Sequence, residues 1–578
     1  MEPSEESSLK VSYAVRSHKL DIWIKGLNFP VNSCVNLYQR TGFTHQNWVM
    51  FASTEVVSGT REPVFKSRLL IQYFFSVKQE ICAEVIDMST NQIAGKAEFT
   101  IGNLVTTPNQ ALSIPICKDP TVFGDPNEKS YLVIKAEVFT DSLDELLLQL
   151  SGSFYKSYVF TPKTFLSLWK LDSQAKKFVQ VARGGLSLDE APHWEPLQVR
   201  ITELCEKDYN RKIRLVVHKI PKLHQEKIAG HVDFTLDDLI HGNLKQAEIL
   251  KFPEKLNGNS EIKKSAGTVV FEKKEIIKVP QFLDYVFGGL EICSSIGIDF
   301  SNRGGPFSNP SSLHYFNEGL ESLYEQLAKL FAEVLAPYSP RKDVVAYGFG
   351  ATILDSAENL LANDHDFCFS LNGKPGLSSF SELKLLSENY RKSTKLIEPN
   401  QLRFITPVLE TLRAHLSKDL YFNSKKRYYN IILLLEEEID DIQEVIDFMG
   451  VLSQQIAVTL LLVGMGKGPY PNLEGFNINS GQAGTFYDSK GDALPPNTIA
   501  FLSLQDVKMN TFGLVKEMLK FIPDRIYTAM IKENLLPDRD KLSLSTEISP
   551  KKDPGKRVKI FDNYEPVIQQ QQPSFPKM

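Results

Sequence analysis

Two regimes of hydrophobic patterning divide the chain. Over residues 9–140 the apolar positions come in short stretches: Lys19-Leu-Asp-Ile-Trp-Ile-Lys25 alternates, Ile81-Cys-Ala-Glu-Val-Ile86 is a buried run, and Ser130-Tyr-Leu-Val-Ile-Lys-Ala-Glu-Val-Phe139 closes a sheet. Clusters of glycine, proline, serine and asparagine punctuate them, the signature of strands joined by turns. This pattern predicts an antiparallel sandwich. Residues 143–278 repeat it, with strands expected at 146–150, Phe165-Leu-Ser-Leu-Trp169, Lys212-Ile-Arg-Leu-Val-Val217 and Gly267-Thr-Val-Val-Phe271. From about Val286 the period changes. Strands at 290–300, 344–349, 431–435 and 456–463 alternate with helical stretches at 318–334, 406–416, 439–453 and 510–521. Unalternated apolar strands interleaved with helices predict a parallel sheet covered on both faces, a doubly wound α/β domain.

The first half also repeats residue by residue. Ile93-Ala-Gly-Lys-Ala-Glu-Phe-Thr-Ile-Gly-Asn-Leu-Val105 returns as Ile228-Ala-Gly-His-Val-Asp-Phe-Thr-Leu-Asp-Asp-Leu-Ile240, and Pro63-Val-Phe65 has a counterpart in Pro192-His-Trp194. One recurrence at this long spacing means two copies of a small domain, not a solenoid. The expected organisation is a first sandwich over 1–140, a second over 141–280, the α/β domain over 281–540, and a basic, glutamine-rich, disordered tail over 541–578.

Composition narrows the function. A net charge of −5 argues against bulk nucleic-acid binding. The six cysteines form no CxxC pair and mostly sit in apolar runs, which predicts buried thiols in a reducing compartment. No apolar run approaches the roughly 20 residues of a membrane span, so a cytoplasmic chain with at most peripheral membrane contact is expected.

Ordered local motifs carry a family resemblance. They are Trp194 with Leu204-Cys205, Asp208-Tyr209 and Arg211; Gly267-Thr-Val269; Phe282-Leu-Asp-Tyr-Val-Phe-Gly-Gly289; Ile298-Asp-Phe-Ser-Asn302; Ser312-Leu-His-Tyr315; Tyr347-Gly-Phe-Gly350; His365-Asp-Phe367; and Val463-Gly-Met-Gly466. Over about residues 10–535 the chain resembles the copines. The resemblance implies two C2 sandwiches that bind phospholipid in a calcium-dependent way and a von Willebrand factor A-like domain that binds partner proteins.

The loops depart from that family pattern. Calcium takes about 6–8 hard oxygen ligands, mostly carboxylates. In the first sandwich Leu27-Asn-Phe-Pro-Val-Asn-Ser33 has no acid, and Ile86-Asp-Met-Ser-Thr-Asn91 keeps only Asp87. In the second, Gly152-Ser-Phe-Tyr-Lys-Ser-Tyr-Val-Phe160 has none, and lysines fill His218-Lys-Ile-Pro-Lys-Leu-His-Gln-Glu-Lys227. Calcium binding is therefore not expected at either loop end. The A-domain resemblance implies a magnesium-type site of Asp-x-Ser/Thr-x-Ser, a threonine and an aspartate. Asp299 and Ser301 match, Arg303 replaces the second serine, Asn400 falls at the threonine, and Glu437 within Glu436-Glu-Glu438 stands for the aspartate. A cation about 4 Å from a metal opposes it by roughly 4 kcal/mol per unit charge, so a weakened site is expected.

Positive charge remains. Residues 207–227 carry Lys207, Arg211, Lys212, Arg214, Lys219, Lys222 and Lys227 against Asp208 and Glu226. Alternation turns Ile213, Leu215 and Val217 inward and puts Lys212 and Arg214 on the opposite face. Lys212, Arg214, Lys219 and Lys222 are the expected contacts to anionic lipid, each basic residue adding roughly 1 kcal/mol near an acidic leaflet; a solvated strand face is the alternative. Phe154, Tyr158 and Phe160 offer apolar insertion instead. Asp364-His-Asp366 has no nucleophile beside it, and Gly464-Met-Gly-Lys-Gly468 lacks the phosphate-loop spacing. The expected function is a non-enzymatic adaptor that docks peripherally at the plasma membrane and holds a partner protein through its A domain. The rival is a soluble scaffold without lipid binding.

Overall fold

The computed structural model describes residues 18–538 except 42–46, 119–128, 140–143, 156–162, 173–175, 190, 207, 222–225, 243, 252–263, 278–279, 302–305, 355–367, 374–377, 401–403, 423–426, 480–484, 506–509 and 534, with the backbone course alone for 415–422. The expected tail at 541–578 lies outside the described residues. The chain forms two compact units, one of Met1–Phe139 with Phe282–Met578, the other of Thr140–Gln281. The first and third of the expected domains thus share one unit.

In the first sandwich, one sheet runs Leu69–Tyr73, His18–Leu27, Tyr131–Phe139, Ala111–Pro115. The other runs Val49–Ser53, Asn32–Thr41, Gln79–Asp87, Gln92–Thr100, Cys117–Lys118. Alternation along His18–Leu27 does what the pattern predicts, burying Leu20, Ile22 and Ile24 while Trp23 stays half-buried.

The internal repeat is structural to the level of single hydrogen bonds. Gly26 N donates to Pro63 O at 2.8 Å, and Gly152 N donates to Pro192 O at 2.9 Å. Phe65 N donates to Ile24 O at 3.1 Å, and Trp194 N to Leu150 O at 3.0 Å. A side chain at either glycine would collide with the buried ring alongside, Phe29 or Trp194, each 2.5 Å from the added carbon. The repeated Ile-Ala-Gly is a β-bulge in both copies, with register shifts at Val85/Ile86 and at Val217/His218. Each Phe-Thr then starts a short helix, Thr100 accepting from Asn103 N and Thr235 from Asp238 N.

The second sandwich is a single path of eight strands: Phe178–Arg183, Lys163–Leu171, Ile213–Ile220, Lys227–Phe234, Gln246–Leu250, Ser265–Ile277, Glu145–Phe154, Leu197–Arg200. Leu146, Leu148, Leu166, Leu168, Leu215 and Val217 fill its core.

In the α/β domain, Val344–Phe349, Glu291–Asp299, Arg427–Leu435, Val458–Gly464 and Ile499–Ser503 lie parallel in that order, with Cys368–Ser370 antiparallel at one edge. The apolar run Ile431-Ile-Leu-Leu-Leu435 divides between two layers. Ile432 and Leu434 pack with helices Leu323–Leu335, Thr511–Leu519 and Ile522–Lys532, while Ile431, Leu433 and Leu435 face Thr406–Phe422 and Ile442–Gln455. A strand buried on both faces has no polar side to alternate with. Caps set the helix starts: Ser322 accepts from Glu325 N at 3.1 Å, so the stretch expected from 318 begins at Leu323.

An aromatic latch joins the first sandwich to the α/β domain. Phe75 lies edge-on to Phe282 with centroids 5.3 Å apart and 4.9 Å from Tyr338. The Tyr73 and Tyr338 hydroxyls bond each other in a buried setting, and burial with mutual repulsion raises the Tyr73 pKa. Around the latch, Lys342 Nζ donates to Thr106 Oγ1 at 2.8 Å, and Lys78 pairs with Glu333 at 3.6 Å. Phe75→Ala is expected to destabilise this unit by about 3–5 kcal/mol, the usual loss for a buried Phe→Ala change. Hydrogen exchange read by peptide would then accelerate in both His18–Leu27 and Glu291–Asp299. Acceleration confined to the sandwich would mean the two parts unfold separately.

Candidate functional site

Three regions hold the residues singled out by the sequence. At the loop end of the first sandwich, Asn32 Oδ1 accepts from Gly59 N at 3.3 Å and its Nδ2 donates to Ser89 Oγ at 3.2 Å. Asp87 Oδ1 accepts from Ser89 N at 2.8 Å. Asn28 Nδ2 donates to Lys129 O at 2.9 Å. The polar side chains of this end therefore hold the loops to one another. Among the described residues no group of three or more His, Cys, Asp or Glu side chains is placed to hold a metal ion. One carboxylate does not fit calcium's need for oxygen ligands. Val31 and Met88 stand exposed at two of the tips.

In the second sandwich the basic residues separate. Ile213, Leu215 and Val217 are fully buried, as alternation requires. Arg214, however, makes a two-pronged pair with Asp233, Nε–Oδ1 2.6 Å and Nη2–Oδ2 2.7 Å, and its guanidinium lies 3.9 Å from the Phe178 ring centroid. Its charge is neutralised within the sheet, which corrects its assignment as a lipid contact. The opposite face of the strand is not simply solvated either. His218 is buried, stacked on Phe165 at 4.4 Å and bonded through Nε2 to Ser167 Oγ at 2.7 Å. Burial pushes its pKa down despite Glu226, whose carboxylate lies 2.8 Å from Nδ1. Lys212 just precedes this strand and Lys219 lies near its far end, a separation of about 23 Å at roughly 3.3 Å per residue. Lys222, Lys207, Tyr158 and Phe160 lie outside the described residues.

Lys219 belongs instead to a cluster at the loop end. It lies opposite Thr164 on one side and Lys227 on the other. Lys163, Lys227, Lys251 and Lys264 are exposed at the same end, and Lys251 N donates to Lys264 O at 2.9 Å. Ser187 exchanges backbone bonds with Thr164, holding exposed Leu186 and Leu188 beside them. Exposed Ile228 follows Lys227, and exposed Tyr155 completes the apolar set. Among the described residues, acids at this end include Asp189, Glu195 and Glu226, the last engaged with His218. Sequence reading missed the leucines because nothing local marks them as exposed.

The third region is the carboxyl edge of the parallel sheet, where strands diverge and open α/β sheets place their sites. Asp299 ends its strand buried, Oδ1 accepting from Ser301 N at 2.9 Å and Oδ2 from Glu436 N at 3.1 Å. Gly350, at φ +75, closes in from the next strand; an added carbon there would lie 2.9 Å from Asp299 Oδ1. Asn400 N donates to Gly350 O at 3.0 Å, bringing its loop to the same edge. Desolvation, then Glu437, raises the Asp299 pKa. Desolvation, then Asp299 and Glu437, pushes Glu436 up to about 7. Glu436 Oε2 is buried with no hydrogen-bond partner among the described residues. The structure thus brings together Asp299, Ser301 and Glu437 and adds Glu436. Both Asp299 oxygens are engaged by backbone N–H groups, and among the described residues no group of three or more His, Cys, Asp or Glu side chains is placed to hold a metal ion here either. Arg303 and Asp364-His-Asp366 lie outside the described residues.

The glycine-rich stretch after Val458–Gly464 serves this edge. Tyr470 OH donates to Glu436 O at 2.9 Å and accepts from Gly466 N at 2.9 Å. A side chain on Gly466 would strike Glu436 O, 2.0 Å away. His314 Nε2 meets Asp299 O at 2.9 Å, and burial drops its pKa to about 3, so it is a neutral donor to the strand end.

A pH dependence follows. The Glu436 carboxyl moves from its ordinary 4.5 up to about 7 on folding, so the folded chain holds that proton more tightly. Its contribution to stability is complete below about 4.5 and is lost as pH rises through about 7. Denaturant titrations should show this loss in the unmodified protein and a flatter profile in Glu436→Gln. Identical profiles would remove Glu436 from the buried acid group.

A family model described as Copine matches residues 312–538. Copine-E of Dictyostelium discoideum is 24% identical over 499 residues, covering 85% of this chain and 81% of its own length. Copine-B of the same organism is 23% identical over 512 residues, covering 86% and 92%. Among solved structures, BON1-C2B is 14% identical over 24% of this chain and 93% of its own, with a TM-score of 0.20. A structure of the two C2 domains of Extended-Synaptotagmin 2 is 13% identical over 48% and 99%, with a TM-score of 0.18. Residues 312–538 thus match the Copine model, and over most of its length the chain is similar to copines.

Proposed function

We propose that this chain is a non-enzymatic, copine-like peripheral adaptor that docks on anionic membrane without calcium. Docking runs through the loop end of the second sandwich, and the von Willebrand factor A-like domain holds a partner protein at its carboxyl edge. The observation that carries the reading is the combination of Lys163, Lys219, Lys227 and Lys264 with the exposed side chains of Leu186, Leu188 and Ile228. Exposed apolar groups ringed by basic ones suit a surface that is anionic outside and hydrocarbon beneath. Lys219 directly opposite Lys227 is a like-charge cross-strand pair, whose repulsion a shared anion relieves. Three or four lysines at roughly 1 kcal/mol each give weak, reversible docking. Cytoplasmic exposure and recruitment to the plasma membrane complete the proposal, since that inner leaflet is rich in acidic lipid.

Flotation with phosphatidylserine-rich vesicles in chelator tests the docking. Binding is expected, falling as salt rises because the Debye length shrinks from about 10 Å at 0.1 M to about 3 Å at 1 M. Lys163→Glu with Lys219→Glu and Lys227→Glu should abolish it, while Lys212→Glu, at the far end of the strand, should leave it intact. Full binding by the triple variant would move the contact elsewhere. No flotation of the unmodified chain would favour the soluble scaffold.

A further inference from the structure

We infer that Arg525 anchors an oxyanion site at the amino-terminal edge of the parallel sheet, taking a phosphate group on its guanidinium beside the paired hydroxyls of Tyr428 and Thr459. Three adjacent strands bring hydroxyls to this edge. Tyr428 stands near the start of Arg427–Leu435, Thr459 near the start of Val458–Gly464, and Thr498 just before Ile499–Ser503. All three are fully buried. Arg525 lies in the first turn of Ile522–Lys532, the helix that covers this end. Its Nη2 donates to Thr498 Oγ1 at 2.8 Å, and it also bonds the Tyr428 hydroxyl. Tyr428 OH in turn meets Thr459 Oγ1 at 2.5 Å, and Thr498 Oγ1 donates to Pro495 O at 2.7 Å.

Both hydrogen-bond partners of this guanidinium among the described residues are neutral, and its Nε is buried with no acceptor there. The other half-buried arginines behave differently. Arg40 pairs with Glu80, Arg214 with Asp233, Arg391 with Glu325 and Arg427 with Glu291. A partly buried cation with only hydroxyls around it leaves its desolvation uncompensated, which opposes burial unless an anion joins it. A free Nε beside an engaged Nη2 is one side of the planar fork that binds phosphate through two parallel bonds. Thr498 gives its hydrogen to Pro495 O, so the further donor is the Tyr428–Thr459 hydroxyl pair, which carries one hydrogen beyond the bond between the two. The site lies at the edge opposite Asp299 and stands apart from the docking reading.

Thermal unfolding of the full chain tests the assignment. Inorganic phosphate at ten times its Kd should raise the Tm by about 2 °C over chloride at matched ionic strength. Glycerol 1-phosphate forms a second arm: a matching response means that a phosphate carried on a larger molecule enters, and a response to inorganic phosphate alone means the site closes on the free ion. Arg525→Met should lose the response yet be no less stable in phosphate-free buffer, because the change removes an uncompensated charge. Arg525→Lys keeps the cation without the fork and should retain only part of the shift. No shift with either phosphate, or an unchanged shift in Arg525→Met, overturns the assignment.

Discussion

The contact of Phe75 with Phe282 and Tyr338 is the constraint from which the architecture follows. It turns residues far apart in sequence into one body and leaves the second sandwich as a separate unit between them in the chain. The edge-on and tilted rings gain about 0.5–1.5 kcal/mol per pair beyond the area they bury. The Tyr73–Tyr338 hydroxyl pair satisfies two polar groups that would otherwise be stranded in an apolar setting. The latch employs a strand end on one side and a short helical turn on the other. The loop-end side chains of the first sandwich are spent on holding loops together, Asp87 on Ser89 and Asn32 on Gly59 and Ser89.

Much of this was legible in the sequence, for identifiable reasons. The repeat was visible because both copies need the same local devices: a glycine under a ring at Gly26 and Gly152, a bulge at Ile-Ala-Gly, a threonine cap. The doubly buried run Ile431-Ile-Leu-Leu-Leu435 announced a central parallel strand. Asp299 and Ser301 were placed together because they are neighbours on one strand end. What stayed hidden depends on partners distant in sequence. Nothing near Arg214 shows that Asp233 lies across from it, and Phe75 reads like any core aromatic until Phe282 and Tyr338 meet it. Nothing near His218 in sequence shows that the Phe165 ring covers it. Cys117 is exposed although the other cysteines are buried or half-buried, because its strand has only two residues. The acid group at the sheet edge was legible in part: the resemblance pointed to Glu437, whereas the backbone bond to Asp299 belongs to Glu436.

Charge is apportioned along the same lines. The carboxyl edge of the sheet concentrates Asp299, Glu436 and Glu437, whose mutual repulsion is relieved by a proton or a cation. The loop end of the second sandwich gathers lysines around exposed leucines instead. The acidic edge and the basic, apolar-tipped end thus lie in different units of the chain.

Hydrogen exchange of the chain bound to phosphatidylserine-rich vesicles in chelator tests the central claim most directly, because it reads both loop ends at once. The account predicts new protection at residues 184–189 and 219–228 and none at 28–32 or 87–91. Protection at the first sandwich's tips, around Val31 and Met88, with the second sandwich unchanged, would contradict it.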